Sequence, residues 1–499
     1  MARIPLASAD FAESSTPAYR LLPFRFERWN EREVLLVNDV GDSAFLDAPS
    51  FEALIGHRLP PTSPGYRELK SKLFLSDGDP TFAIDLLATR YRTNKSFLAG
   101  FTGLHLFVVT LRCDHSCPYC QVSRVKEGSR WDMSEETAER AIDLMFRSPS
   151  PTLKVEIQGG EPLLRFDLIR FIVERVLERN RTESRQIEFV IATNLAPLDD
   201  EMLAYLKERS ILLSTSLDGP APLHNANRPR PGRDSHALVE RNLARAREAL
   251  GHDRVSALMT TTERSLTQPR EIVDEYVRLG FHSIFLRSIS PYGFAVRTGA
   301  AARYQTSQFL DFYRVALDRI IDWNRRGTPI REVYAQILLS KMLMPFPTHY
   351  VDLQSPGGAG IGAVVYNYEG NVYASDEARM LAEMGDFTFR LGNVHRDSYE
   401  EIFGGETLRS LVASSVLEAL PGCNRCAFLP FCGGDPIFHH RTQGDPIGHR
   451  PTSAFCAKNM GILRHLFERL RSGDRFEIDL LTSWATGVPT PRFEEEVPA

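Results

Sequence analysis

No stretch of the 499 residues is apolar enough to cross a membrane: the longest apolar run, LHLFVVTL from Leu104, falls far short of the roughly 20 residues required. Residues Met1 to Tyr19 hold one early arginine and no apolar core run, so no secretory signal is read there. Neither sign of charge prevails. With 59 basic and 64 acidic residues, well mixed, the net charge of −5 gives no broad basic face for phosphates, which excludes nucleic acid as an expected partner. Internal repeats and low-complexity tracts are absent, apart from an acidic, proline-containing tail after Pro489 that is expected to be disordered. Cysteine is sparse and odd in number: Cys113, Cys117 and Cys120 form one group, Cys423, Cys426 and Cys432 another, and Cys456 stands alone. Such spacings in a reducing compartment read as metal ligands rather than disulfides. The expectation is a cytoplasmic protein with no membrane association, and a content of 43% apolar residues is enough for several cores.

From Leu104 to about Ser288, short apolar runs alternate with helical patterns, the signature of βα units and a parallel sheet. Six strands are read, starting at Leu104, Leu153, Ile187, Ile211, Arg254 and His282. Between the second and third, Ile169, Ile172, Val173, Val176 and Leu177 repeat at helical spacing and predict one buried stripe. Ser134 predicts a helix N-cap, with Glu135 and Glu136 well placed in its first turn. Earlier, FRFERW, EVLLVND and SAFLDA predict a three-stranded sheet, and helical patterns follow from Pro64 and Pro80. Beyond Pro329 the alternation stops, and a glycine-rich, cysteine-bearing region runs to about residue 460. The predicted divisions are a tail at 1–19, a small α+β module at 20–100, a partial barrel at 101–330, a cysteine-bearing region at 331–470 and a tail at 471–499.

The segment LRCDHSCPYC puts three thiols in the loop after the first barrel strand. In parallel α/β folds that end of the sheet carries the active site. A [4Fe-4S] cluster normally takes four cysteines. Three leave one iron open to the amino and carboxylate groups of S-adenosylmethionine (SAM), whose reductive cleavage yields a 5′-deoxyadenosyl radical that abstracts hydrogen from unactivated carbon. The alternative is a zinc site completed by His115.

CDHSCPYC closely resembles the signature of the radical SAM superfamily, and further motifs follow in order. Gly159, Gly160, Glu161 and Pro162 are similar to that family's GGEP motif, which implies contact with the SAM amino group; a plain Gly-Gly turn is the alternative. Ser214, Ser216 and Asp218 after the fourth strand offer groups for the ribose, Thr193 and Asn194 end the third, and ordinary loop capping is the alternative for each. Arg228 is similar to the arginine that pairs with the SAM carboxylate, and Tyr119 is expected to lie on the adenine.

The C-terminal region resembles the SPASM extension of radical SAM enzymes that modify peptides and proteins. Cys423, Cys426 and Cys432 match its Cys-x2-Cys-x5-Cys-x3-Cys run, but Pro436 stands at the fourth place, and Gly357 and Ser375 stand where two upstream cysteines belong. The resemblance assigns those three positions to one auxiliary cluster and Cys423, Cys426, Cys432 and Cys456 to the other, so it implies that a single auxiliary [4Fe-4S] cluster is retained. A structural zinc ribbon is the alternative. His439 and His440 lie nearby and are read as surface or supporting residues. Asp376 matches the aspartate that accepts a proton in related sulfatase-maturing enzymes; a solvated loop aspartate is the alternative.

The module opening LLPFRFER resembles the leader-recognition element of ribosomal peptide maturases, which bind a leader by strand addition; a structural cap is the alternative. Together these features are similar to the radical SAM maturases of the His-Xaa-Ser system. The fold class implied is α/β, a partial (β/α)6 TIM-like radical SAM barrel with an N-terminal α+β module and a C-terminal SPASM-like region. Implied cofactors are SAM, the SAM-binding [4Fe-4S] cluster and one auxiliary [4Fe-4S] cluster. Implied partners are a leader-bearing peptide or protein substrate with His-Xaa-Ser repeats, a second radical SAM maturase and an external electron donor. The expected activity is oxidation or cross-linking of substrate residues; the rivals are formylglycine formation and a noncatalytic escort of a partner maturase. Reconstituted protein is expected to bind about eight irons, and replacing Cys113, Cys117 and Cys120 by alanine should leave about four. Near twelve irons in the wild type, by colorimetric assay, would defeat the reading of one lost cluster.

Overall fold

The computed structural model describes residues 18–489; the acidic tail expected after Pro489 lies outside the described residues, as does most of the 1–19 tail. Contacts divide the described residues into two units, one of residues 18–95, 345–347 and 421–431, the other holding the rest of them. Among the described residues no helix is long and apolar enough to cross a membrane.

In the first unit, β1 (Phe24–Arg28), β2 (Glu33–Asn38) and β3 (Ser43–Asp47) form an antiparallel sheet with β2 in the centre. Polar side chains set both hairpins: Asn30 Oδ1 accepts from Arg32 N and Glu33 N, and Asn38 Oδ1 accepts from Val40 N and Asp42 N. Leu36 packs with Leu54, Tyr66, Leu69 and Phe74 into a core of the unit's own. A helix at Ala48–Ile55, capped by Asp47, falls in a segment the sequence reading left unassigned; at 8 residues it is too short to show a period. The helices at Pro64–Ser71 and Pro80–Asn94 begin where predicted.

In the second unit, β4 (Leu104–Thr110), β5 (Thr152–Gly159), β6 (Gln186–Thr193), β7 (Leu212–Ser216), β8 (Val255–Thr261) and β9 (Leu286–Ser288) are consecutive and parallel. These are the six expected strands. β4 is buried on both faces from His105 to Thr110, whereas β5 alternates: Leu153, Val155 and Ile157 are buried apolar residues, while Glu156 and Gln158 lie on its other face. The helix Phe166–Glu183 buries Ile169, Ile172, Val173 and Val176 as predicted, with Leu168 in place of Leu177 completing the stripe. Ser134 Oγ caps the helix Glu135–Phe146 by accepting from Thr137 N.

Two findings depart from the sequence reading. The region from 331 is not a separate body: β10 (Ala363–Tyr366) pairs parallel with β4, and β11 (Asn371–Tyr373) and β12 (Arg390–Asn393) add antiparallel strands, giving one nine-stranded sheet. β10 joins because Val364, Val365 and Tyr366 are fully buried and the edge of β4 is there to receive them. The expected C-terminal tail also contains a helix, Arg475–Thr486, capped by Asp474 and burying Leu480, Leu481 and Trp484. The turn-like run Arg471, Ser472, Gly473 and Asp474 precedes it and concealed the pattern. Leu481→Ala is expected to destabilise this unit by about 3 kcal/mol, read as a fall in the denaturation midpoint; an unchanged midpoint would restore the tail reading.

Candidate functional site

The end of β5 lies against the end of β4 without room for side chains. A Cβ on Gly159 would sit 2.3 Å from Thr110 O, and one on Gly160 would sit 2.4 Å from Arg112 O and 2.6 Å from Leu111 O. The backbones instead bond directly, Gly160 N to Thr110 O and Glu161 N to Arg112 O, each at 2.7 Å. Two consecutive glycines are therefore needed by the strand that opens into Cys113. The loop is further tied by Cys113 N to Val125 O and Ser116 N to Pro229 O.

Burial pushes the thiols of Cys113, Cys117 and Cys120 up, Cys117 to about 12. The guanidinium groups of Arg124 and Arg228 pull the other way at Cys117 and Cys120, and Arg379 does so at Cys120. Arg124 also holds a buried Nε with no hydrogen-bond partner. Glu161 and Asp114 push the Cys113 thiol further up, so the cations act on two of the three thiols. Three thiols in one loop, two of them in the field of fixed cations, suit an anionic thiolate-ligated cluster, so the donor set fits an iron-sulfur group. The zinc alternative needs His115 as its fourth ligand. His115 is engaged elsewhere: Nε2 lies 2.8 Å from Ser235 Oγ, and Nδ1 lies 2.9 Å from Asp114 Oδ1 and from Asn194 Nδ2.

A buried polar network underlies the loop. Glu161, 1% exposed, accepts from Thr193 Oγ1 at 2.6 Å, Asn194 N at 2.8 Å and Leu163 N at 3.0 Å. Burial nevertheless raises its carboxyl to about 7. A neighbouring ammonium would favour the ionised form. Thr193 and Asn194 thus hold Glu161 in place. Pro162 follows at the start of a single 3-10 turn. Asp218, fully buried, accepts from Tyr119 Oη at 2.6 Å and from Arg228 Nε at 3.1 Å, and Arg228 lies over the Tyr119 ring, 5.4 Å from its centre. Two expectations shift accordingly. Asp218 is occupied in orienting Arg228 and Tyr119 rather than standing open to a ribose, and a cation covers one face of the ring expected to meet adenine. Ser214 and Ser216 are half-buried at successive same-face positions of β7.

Asp376 is not a solvated loop residue. It opens the helix Asp376–Ala382, its Oδ1 accepts from Gln158 Nε2 at 3.0 Å, and Arg379 binds it through Nε at 2.9 Å and Nη2 at 2.8 Å. Gln158 immediately precedes Gly159, so this carboxylate reaches the end of β5. Sequence reasoning missed Gln158 and Arg379, although an arginine three residues after an aspartate on a helix is a recognisable pair.

The three positions lacking cysteine are each committed to structure. A Cβ on Gly357 would sit 2.6 Å from Gly434 O; Ser375 Oγ caps the helix Asp376–Ala382; Pro436 opens the helix Pro436–Gln443 behind its cap Asp435. Of the other four cysteines, Cys423 and Cys426 form a tight turn in the first unit, with Cys426 N bonded to Cys423 O at 3.0 Å and Arg25 Nε donating to Asn424 O at 2.7 Å. In the second unit, Cys432 has Asn459 Nδ2 at 3.9 Å from its sulfur, and Cys456 sits in the first turn of the helix Ala454–Leu470, where the helix dipole favours a thiolate. His439 Nε2 lies 2.8 Å from Ser453 Oγ, the cap of that helix, and His440 pairs with Asp386, so both are supporting residues.

Residues 107–274 match the model of the Radical SAM superfamily. A serine-type anaerobic sulfatase-maturating enzyme of Bacteroides thetaiotaomicron is 23% identical over 67% of this chain and 83% of its own. The structure of native anSMEcpe with bound AdoMet aligns with a TM-score of 0.62 at 17% identity, over 74% of this chain and 98% of that one. Streptococcus suis SuiB bound to S-adenosylmethionine aligns at 0.52 and 15% identity, over 87% and 98%. The chain spans only 38% and 27% of the length of the first two curated relatives it matches. The second unit accordingly has the radical SAM fold, with a mostly parallel central sheet.

Gly160→Ala is expected to remove the cluster of the cysteine loop, lowering iron in reconstituted protein by about four per chain, while Gly404→Ala, where a Cβ meets nothing within 4 Å, retains it. Equal iron in the two variants would show that the strand approach does not set the loop.

Proposed function

We propose that this protein is a radical SAM maturase that oxidatively modifies or cross-links residues of a peptide or protein, with His-Xaa-Ser repeats as the substrate. The observation that carries this reading is the placement of Asp376, a carboxylate held 3.0 Å from the side chain that precedes Gly159-Gly160-Glu161. A proton lost when a substrate carbon is oxidised needs an acceptor beside the SAM motif. Asp376 supplies one, and Arg379 and Gln158 fix its orientation.

Cys113, Cys117 and Cys120 would hold the cluster, which with SAM supplies a hydrogen-abstracting 5′-deoxyadenosyl radical. Arg228, with one edge on Asp218, would bind the SAM carboxylate, and the Glu161 segment would face its ammonium. Tyr119, Thr193, Asn194, Ser214 and Ser216 would complete that pocket. Cys423, Cys426, Cys432 and Cys456 would carry one auxiliary [4Fe-4S] cluster, a reading that rests on their sequence pattern. The outer strands β1 and β3 of the first unit each pair on one side only among the described residues, which supports leader binding by strand addition. A second radical SAM maturase and an external electron donor would complete the system, in a cytoplasm reducing enough for thiolate ligands. A second reading, formylglycine formation on a Cys or Ser, is favoured by the match to the sulfatase-maturating enzyme over 83% of its length.

Mass spectrometry of a candidate substrate after co-expression tests the proposal, because cross-links or oxidation at repeats and formylglycine differ in mass. Cys117→Ala should abolish deoxyadenosine formation. Asp376→Asn should leave uncoupled SAM cleavage near wild type while lowering product about 100-fold or more. Undiminished product in the folded Asp376→Asn variant would remove its role as proton acceptor.

A further inference from the structure

A cavity of about 410 Å³ opens between β9 and the region of the missing cysteines, with Arg287, Tyr292, Asp352, Glu377, Asp435 and Lys458 on its walls. Ser375 and Pro436, two of the three positions that lack a cysteine, also line it. The helix caps just described close off cluster binding there but leave the space open.

The charges in this space do not balance. Asp376 is taken by Arg379, which leaves Asp352, Glu377 and Asp435 against Arg287 and Lys458. Burial, with Asp352, Asp376 and Asp435 adding like charge, pushes Glu377 up to about 8; burial, with Asp352, pushes Asp435 up to about 6. The Tyr292 hydroxyl lies in the field of the same three carboxylates, is 1% exposed, and has no hydrogen-bond partner. A single divalent ion does not fit. The three carboxylates do not form a group with oxygens within 4.8 Å of one another, and metal-oxygen bonds of about 2.0–2.6 Å require such a group. Tyr334, Tyr350 and Phe309 supply aromatic wall, which suits an organic cation.

We propose that this cavity receives a basic side chain of the polypeptide substrate, a guanidinium or ammonium group, among Asp352, Glu377 and Asp435, with the Tyr292 hydroxyl as a further acceptor. The inference rests on the reading of a polypeptide substrate above. The entering cation takes over the compensation that a bound proton otherwise provides, so binding near pH 7 releases a proton from Glu377.

Calorimetry on the full-length reconstituted protein tests this with n-butylguanidinium, its neutral isostere N-butylurea, and butanoate. Butylguanidinium is expected to bind at least about ten-fold tighter than the urea and to release about one proton, measured in two buffers of different ionisation enthalpy. Glu377→Gln should weaken the cation at least about five-fold and abolish the release, and Asp435→Asn should weaken it too. Equal affinity for the urea, preference for butanoate, no saturable binding of the cation, or wild-type affinity in both variants overturns the proposal. Deoxyadenosine formation by the same preparation is read separately. Its absence would sink the functional reading and leave the chemistry of the cavity standing, while its presence without cation preference would sink the cavity proposal alone.

Discussion

Gly159 and Gly160 pass so close to Thr110, Leu111 and Arg112 that the two strand ends share hydrogen bonds where side chains would otherwise stand. The cysteine loop leaves from one of these strands and the Glu161 segment from the other. Their contact therefore sets the distance between the thiols and the carboxylate without any bound group. Because the approach is backbone against backbone, no rotamer change can relieve a bulkier residue. Position 160 is thus as much a part of the site as any cysteine.

From that contact a polar network spreads outward at low solvent exposure. Glu161 gathers Thr193 and Asn194, Asn194 reaches Asp114 and His115, and His115 meets Ser235. Ser235 also bonds His224, whose other ring nitrogen accepts from Asp218 N. Asp218 in turn holds Tyr119 and Arg228. Residues from several loops are coupled in this way, and each of these polar groups has a protein partner. Much of what a motif comparison would assign to ligand contact is, in this geometry, support for a smaller number of groups.

The six parallel strands were legible because each is an apolar run bounded by turn residues, and the thiol loop was legible because its spacing is rare. Support roles were not. Nothing in the one-dimensional pattern distinguishes Asp218 open to a ribose from Asp218 bonded to Arg228, since the partners lie on different segments. The cavity was invisible for the same reason: Asp352, Glu377 and Asp435 come from three separated stretches. Likewise the pairing of β10 with β4 joins residues about 260 positions apart, and a four-residue apolar run gives no sign of which edge it will meet. The absence of cysteine at 357, 375 and 436 was readable; that a backbone contact, a helix cap and a helix-opening proline occupy those places was not.

The pairing of β10 with β4 carries a consequence for how such a chain can change over time. A seven-residue, largely apolar strand such as β4 would be an open template for aggregation if its outer edge were bare. The strands β10, β11 and β12 cover that edge, and they do so through main-chain bonds that are indifferent to whether position 375 is serine or cysteine. The C-terminal strands therefore shield the sheet whatever side chains stand at positions 357, 375 and 436. Side chains there can change, but removing these strands would uncover the edge of β4.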